Sequence, residues 1–225
     1  MSIQPVFTIS QRAPLPLSSL LFEPVATRHP PDVRRFLRVA TRRVERLQRL
    51  RRVPAFVSSD FALAYAALRH LGESGLVPGD RFCEWGSGLG VVSCLAALAG
   101  FRACGVEARG RLVRGARRLA ADFDLPAEFA RGSFFPREAE DGLLAGREFA
   151  WLSTGGRCGH EALGAGPEEF DLIYAYPWPD EEEVVAETFE ARARLGALLL
   201  TYHGVCGMWL RRKVRASRRA ADPLP

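Results

Sequence analysis

A chain of 225 residues, 48% hydrophobic and 25% charged, is long enough to bury one full core and too ordinary in composition for a disordered or fibrous protein. No apolar run approaches the roughly 20 residues of a membrane span. The five cysteines, Cys83, Cys94, Cys104, Cys158 and Cys206, form no CxxC pair, which argues against a disulfide framework and a cysteine-built zinc site. With Pro5, Arg12, Pro14 and Pro16 interrupting the start, the reading is a cytoplasmic protein with no metal. The net charge of +5 is carried almost wholly by arginine, since Lys213 is the only lysine.

Residues 1–30 are rich in proline and lack periodicity, which predicts an irregular arm. From Pro31 to Arg52 the apolar residues Val33, Phe36, Leu37, Ala40, Val44, Leu47 and Leu50 recur every three or four positions, the mark of an amphipathic helix. Its other face carries Arg35, Arg38, Arg42, Arg46 and Arg49. A second helix is expected from Asp60 to Leu71, stopping at Gly72.

The pattern then alternates between strand and helix, the signature of a largely parallel sheet. Strands are expected at 81–85, 102–107, 127–135, 170–176 and 196–203, with a last strand at 207–214. Helices are expected at 91–99, 110–123 and 180–195, the last capped by Asp180 with Glu183 as its box partner. Residues 136–169 are Gly-rich and weakly patterned. The fold class is therefore α/β: a doubly wound, mostly parallel, Rossmann-like sheet with helices on both faces and an N-terminal helical extension. The expected division is an arm and basic helix over 1–55, a main domain over 56–210, and a basic tail over 211–225.

Between the first strand and its helix stands Glu84-Trp85-Gly86-Ser87-Gly88-Leu89-Gly90. Glycines at alternate positions let the backbone turn sharply and approach a ligand without interference from Cβ. The helix that follows offers free N–H groups at its start. Dinucleotide-binding folds place their third glycine one position later, where this chain has Val91. A carboxylate at Glu84 suits a ligand's ammonium better than a pyrophosphate. Glu107 ends the second strand in "GVE", where a carboxylate can accept two hydrogen bonds from a diol.

This ExGxGxG turn with its "GVE" resembles motif I of the class I, seven-strand, S-adenosylmethionine-dependent methyltransferases, over roughly residues 56–210. A weaker likeness to the seven-strand protein lysine methyltransferases rests on the same two stretches. The resemblance implies S-adenosylmethionine as cofactor, with Glu84, Gly86, Ser87, Gly88 and Gly90 around its amino-acid end and Glu107 on the ribose. Where the family often has an Asp for the adenine, this chain has Ser133 and Phe134.

The fourth strand ends in Ala175-Tyr176-Pro177-Trp178. Amino-methylating members of the class often carry [DNS]PP[YFW] here, so the sequence keeps the second proline and the aromatic and loses the polar residue and the first proline. Strands one and four are neighbours in this fold class, which puts Tyr176, Pro177 and Trp178 beside the transferred methyl group. His203, after the fifth strand, is a candidate proton acceptor. These four are the expected catalytic residues, and nitrogen of a protein side chain is the expected acceptor, with RNA and small molecules as the other classes. Two rival readings stand beside this one: a non-catalytic cofactor-binding scaffold, and a nicotinamide-dependent oxidoreductase. The arginine face over 31–52 and the basic tail read first as solvated surface and second as a nucleic-acid contact.

Overall fold

In the computed structural model, the described residues are 8–9, 20–22, 29–50, 57–135, 149, 152–153 and 155–215. The elements are β1 (Thr8–Ile9), β2 (Leu20–Phe22), α1 (Pro31–Arg49), α2 (Phe61–Glu73), β3 (Arg81–Trp85), α3 (Val91–Leu98), β4 (Arg102–Glu107), α4 (Gly110–Ala121), β5 (Ala127–Arg131), α5 (Gly159–Leu163), β6 (Leu172–Ala175), α6 (Glu182–Arg192), β7 (Leu198–Tyr202) and β8 (Met208–Arg212). These eight strands form one sheet in the order β1-β2-β8-β7-β6-β3-β4-β5. β5, β4, β3, β6 and β7 run parallel, and β8, β2 and β1 are added antiparallel at one edge. Among the described residues six strands come from the alternating region and two from the N-terminal arm, so the seven of the resemblance are not reproduced. The two arm strands correct the expectation of a wholly irregular arm. They form because the β8 edge offers unpaired backbone groups that a short segment can take up without any periodic signal.

Strict alternation along the parallel strands divides the core in two. Phe82, Ala103, Leu172, Tyr174, Leu198 and Leu200 face a cluster built with α1, α2, α3 and α4. Cys83, Trp85, Val106, Ile173 and Leu199 face the opposite cluster with Val184, Val185 and Phe189 of α6. Each large side chain so buried contributes about 1.5–3 kcal/mol. α1 joins the first cluster through Val33, Phe36, Ala40 and Val44, which are fully buried.

Several boundaries differ from those expected. α2 runs through Gly72 to Glu73, capped at its start by the Asp60 carboxylate accepting from the Leu63 N–H at 2.9 Å. β5 stops at Arg131 instead of continuing to Phe135, because Ser133 turns away to bridge Cys158. The weakly patterned stretch 136–169 contains α5, and a 3-10 turn at Pro167–Glu169. Asp180 does not cap α6: it adopts φ 74°, the N-cap is Glu181, and the helix starts at Glu182. β8 carries its pairing to Arg212, and Lys213 N–H donates to the Ala197 carbonyl at 2.9 Å, so the start of the basic stretch is sheet.

At the amino end of the parallel strands Asp171 acts as a staple. Its carboxylate accepts from the Arg81 N–H at 2.9 Å and pairs with Arg194, while its backbone links Arg81 and Leu198. The opposite, carboxyl edge is left open. There the chain leaves β3 in one direction, to β4 and β5, and later returns to β6 on the other side of β3. Such a crossover point is where open α/β sheets leave a crevice for a ligand.

Candidate functional site

At that crevice the turn after β3 is built from three glycines in the left-handed region, Gly86 (φ 74°), Gly88 (φ 56°) and Gly90 (φ 70°). A side chain with Cβ is strained at all three. Gly86 and Ser87 both donate their N–H to the Val106 carbonyl at 2.9 Å, which pulls the turn across the end of β4. Gly90 serves packing instead. A Cβ there would meet the Phe129 ring and Ala116, so its smallness lets α3 seat against β5 and α4.

Two buried carboxylates hold the turn. Glu84 is 6% exposed, and its Oε2 accepts from the Ser93 N–H at 2.8 Å and from the Ser93 hydroxyl at 2.6 Å. Ser93 is the third residue of α3, so Glu84 caps the helix from the preceding strand. Burial drives its pKa from 4.5 up to about 8, partly offset by the bonds from Ser93. Glu107 accepts from the Gly88 N–H at 2.9 Å on Oε2 and from the Arg109 N–H at 2.8 Å on Oε1. Its pKa is raised by burial, against the opposing pull of those two N–H groups. Each carboxylate oxygen offers two lone-pair directions, so these bonds leave acceptor capacity for a ligand.

The turn, both acids and the end of β6 line one cavity of about 820 Å³. Glu84, Gly86, Ser87, Gly88, Glu107, Ser133, Phe134, Tyr176, Pro177 and Trp178 all face it; Gly90 and His203 do not. The Ser133 hydroxyl oxygen accepts from the Phe135 N–H at 3.1 Å. Phe134 stacks on Trp85 with 5.0 Å between centroids and 6° between planes, forming a flat apolar wall. Ser87 is buried with its Oγ unpartnered, a polar atom waiting at the cavity wall.

On the β6 side Pro177 is buried, while Tyr176 and Trp178 are half-buried, and Tyr176 meets Tyr202 edge-on at 4.8 Å. The loop is closed by a Glu181 N–H bond to the Trp178 carbonyl at 3.0 Å, with Asp180 in the left-handed region between them. His203 is fixed elsewhere: Nδ1 lies 2.9 Å from Glu182 Oε1 and Nε2 lies 2.7 Å from Thr201 Oγ1. Among the described residues no group of three or more His, Cys, Asp or Glu is arranged to hold a metal. No described helix is long and apolar enough to cross a membrane.

Sequence reasoning missed several walls. Ser58 and Ser59, from the segment leading into α2, and Phe61, the first residue of that helix, reach the cavity, as do Leu152 and Ser153. Tyr174, opposite Glu84 on β6, donates its hydroxyl to Ser59 Oγ at 2.7 Å and so ties that segment to the sheet. Glu181 also faces the cavity and accepts from the Leu152 N–H at 3.1 Å. Nothing in the sequence around Ser58 and Ser59 announces such a role. His160 sits buried on α5, within the stretch 136–169 that carries no periodic signal; its Nδ1 lies 3.1 Å from the Ala165 carbonyl and its ring meets Trp85 edge-on.

No protein-family pattern and no curated protein matches the sequence. Solved structures do match the fold. A methyltransferase from Geobacter sulfurreducens superposes with a TM-score of 0.51 at 16% identity, over 84% of this chain and 93% of that one. The chain has the class I methyltransferase fold. An RNA methyltransferase from Salinibacter ruber, solved with S-adenosyl-L-homocysteine, aligns at TM-score 0.49 and 15% identity over 75% of this chain and all of that one. An O-methyltransferase from Bacillus cereus, also solved with S-adenosylhomocysteine, aligns at TM-score 0.47 and 17% identity over 79% of this chain and 68% of that one. Within the methyltransferase fold, the crevice described above lies between the glycine turn and the end of β6.

Proposed function

We propose that the protein is a methyltransferase that uses S-adenosylmethionine, with a protein side-chain nitrogen as the favoured acceptor. One observation carries the reading: a single cavity joins the Glu84–Gly88 turn and Glu107 to the Tyr176-Pro177-Trp178 loop. The residues present suit the cofactor. Buried Glu84 has a carboxylate whose charge is costly alone and is relieved by an ammonium group. Glu107 accepts from the ribose hydroxyls, the Gly86–Gly88 backbone allows close approach, and Ser87 Oγ supplies a further polar partner. Ser133 and Phe134 flank the adenine.

When bound, S-adenosylmethionine supplies an electrophilic methyl carbon on a sulfonium. Tyr176, Pro177 and Trp178 contribute position and dryness: two rings stiffened by the proline between them exclude water and hold the acceptor's lone pair in line with that carbon. Electron-rich ring faces also favour the positive charge that develops on a methylated nitrogen. Asp180, Glu182 and Glu183 give the loop an acidic border that attracts a basic substrate. His203 receives no role in proton removal, since both ring nitrogens are engaged outside the cavity. The nicotinamide reading is disfavoured by the position of Glu84, whose carboxyl already takes the Ser93 N–H at the α3 start, where a pyrophosphate would need bare amides.

The test is calorimetric titration with S-adenosylhomocysteine and, separately, NAD, followed by mass spectrometry of a lysate incubated with isotopically labelled S-adenosylmethionine. The proposal requires tight binding of the first ligand only and a labelled product that appears with active protein. Binding without any labelled product would leave a scaffold, and preference for NAD would overturn the reading entirely.

A further inference from the structure

Arginines outside α1 and α4 are mostly used. Arg69, Arg81, Arg102 and Arg194 pair with Glu73, Glu169, Asp80 and Asp171. Arg131 and Arg212 donate to backbone carbonyls. By contrast, Arg38, Arg42, Arg46 and Arg49 of α1 and Arg111, Arg114 and Arg118 of α4 are exposed, and among the described residues none has a carboxylate or carbonyl partner. Glu45, within one turn of Arg42 and Arg49, forms an ion pair with neither. At 100° per residue the four α1 arginines and Arg35 lie within about 80° of arc, over a rise of about 21 Å, and the three on α4 lie within about 60°.

The two helices approach each other at the end of α4. Arg43, on the adjoining flank of α1, pairs with Asp122 just past α4. Phe36 touches Phe123 edge-on at 5.0 Å, and the Arg35 guanidinium lies 5.7 Å from the centroid of the same ring. At its other end the α4 stripe begins at Arg111, two residues from Arg109 at the cavity wall. A basic surface thus runs from the Glu107 end of the cavity along α4 and onto α1.

We propose that this surface binds the phosphodiester backbone of a nucleic acid. Guanidinium groups hold phosphate oxygens in bidentate pairs, and a run of unpaired ones gains by releasing counterions from a polyanion. A membrane surface fits less well, because the apolar stripe of α1 is spent in the core and, of the large exposed hydrophobics among the described residues, only Leu50 adjoins these helices. Phe123, the ring beside this surface, is taken up by Phe36 and Arg35, so the unpaired arginines carry the contact, which reads phosphates and not bases.

The experiment is fluorescence anisotropy of the full chain with labelled 20-nucleotide single-stranded RNA, single-stranded DNA and duplex RNA, across 50–200 mM KCl. The expected result is micromolar affinity at 50 mM salt that falls steeply as salt rises. The Arg38→Gln/Arg42→Gln/Arg46→Gln variant should bind at least tenfold more weakly, with a log–log salt slope shallower by about 2. Arg69→Gln, which removes a paired arginine, should change nothing. If the triple variant melts early, Arg114→Gln/Arg118→Gln carries the same test on α4. The proposal is overturned if no oligonucleotide binds at 50 mM salt, if the substitutions leave binding unchanged, or if only phosphatidylserine vesicles bind.

Discussion

The two sides of the cavity are built on different principles. On the β3–β4 side every element is a consequence of turning a strand into a helix: glycines with positive φ, a carboxylate that caps α3, and a second that ties down the turn. The polar groups there are organised by the fold before any ligand arrives. On the β6 side rings and prolines dominate the walls, drawn from segments far apart in the chain and tied by two bonds, Tyr174 to Ser59 and Leu152 to Glu181. A preorganised polar half beside an adaptable apolar half is what a shared cofactor and a private acceptor would require. The halves should therefore fail differently, and cofactor affinity is the measurement that separates them.

The largest loss is expected on the polar side. Gly88→Val forces a β-branched residue to φ 56° against the cavity wall, in the turn whose N–H serves Glu107. Affinity for S-adenosylhomocysteine should fall by about a hundredfold or more, with strain of about 1–2 kcal/mol leaving the protein folded. Calorimetry on a preparation with an intact melting transition checks this, and unchanged affinity would mean that the ligand lies elsewhere. Glu107→Ala comes next. It removes charge-assisted bonds worth about 1.5–3 kcal/mol each and leaves the Gly88 and Arg109 amides without their acceptor. A loss of about tenfold to a hundredfold is expected, and wild-type binding would remove Glu107 from the site.

How far the sequence can be read follows the same division. The Glu84–Gly90 turn and Glu107 are legible because their requirements are local: a φ sign, a helix start, an acid at a strand tip. The parallel strands are legible because burial on both faces writes continuous apolar runs. Ser59, Leu152 and Glu181 are not, because nothing local marks a residue that reaches the cavity only through strand order. Asp180 misleads, since an acid ahead of a helix also suits a left-handed turn residue. His203 sits at the carboxyl edge as expected, yet its orientation is set by Glu182 and Thr201, partners that no spacing rule could supply.

A third, smaller effect concerns pH. The Glu84 pKa is raised from 4.5 to about 8, so the ligand-free fold is favoured with that carboxyl protonated. This contribution is intact below pH 4.5 and is lost as pH rises toward 8, because the unfolded chain gives up the proton first. A ligand ammonium reverses the preference by favouring the carboxylate. Binding below pH 8 should then release a proton, and affinity should rise by up to about tenfold per pH unit between about 6 and 8, then level off. Titrations in buffers of different ionisation enthalpy count that proton. Glu84→Gln should flatten the profile; a wild-type profile that is already flat would show that no cation faces Glu84.

The smallest change in cofactor affinity is expected at Trp178, and there the comparison is sharpest. The ring is half-buried in the cavity wall on the β6 side. A fully buried ring cut back to alanine costs about 3–5 kcal/mol, so a half-exposed one should cost clearly less, and melting should shift only modestly. Trp178→Ala should hold affinity for S-adenosylhomocysteine within about threefold of wild type, because no polar anchor of the cofactor side is touched. Methyl transfer should nevertheless collapse, since alignment and exclusion of water supply several kcal/mol of the barrier reduction, on the order of a thousandfold in rate. If the variant unfolds or loses cofactor binding in step with its stability, Trp178 belongs to the core and the two sides of the cavity are one structure. If turnover survives, the ring is only a wall, and the acceptor must be aligned by Tyr176 and Pro177 or by Leu152 and Ser153, which also line the cavity.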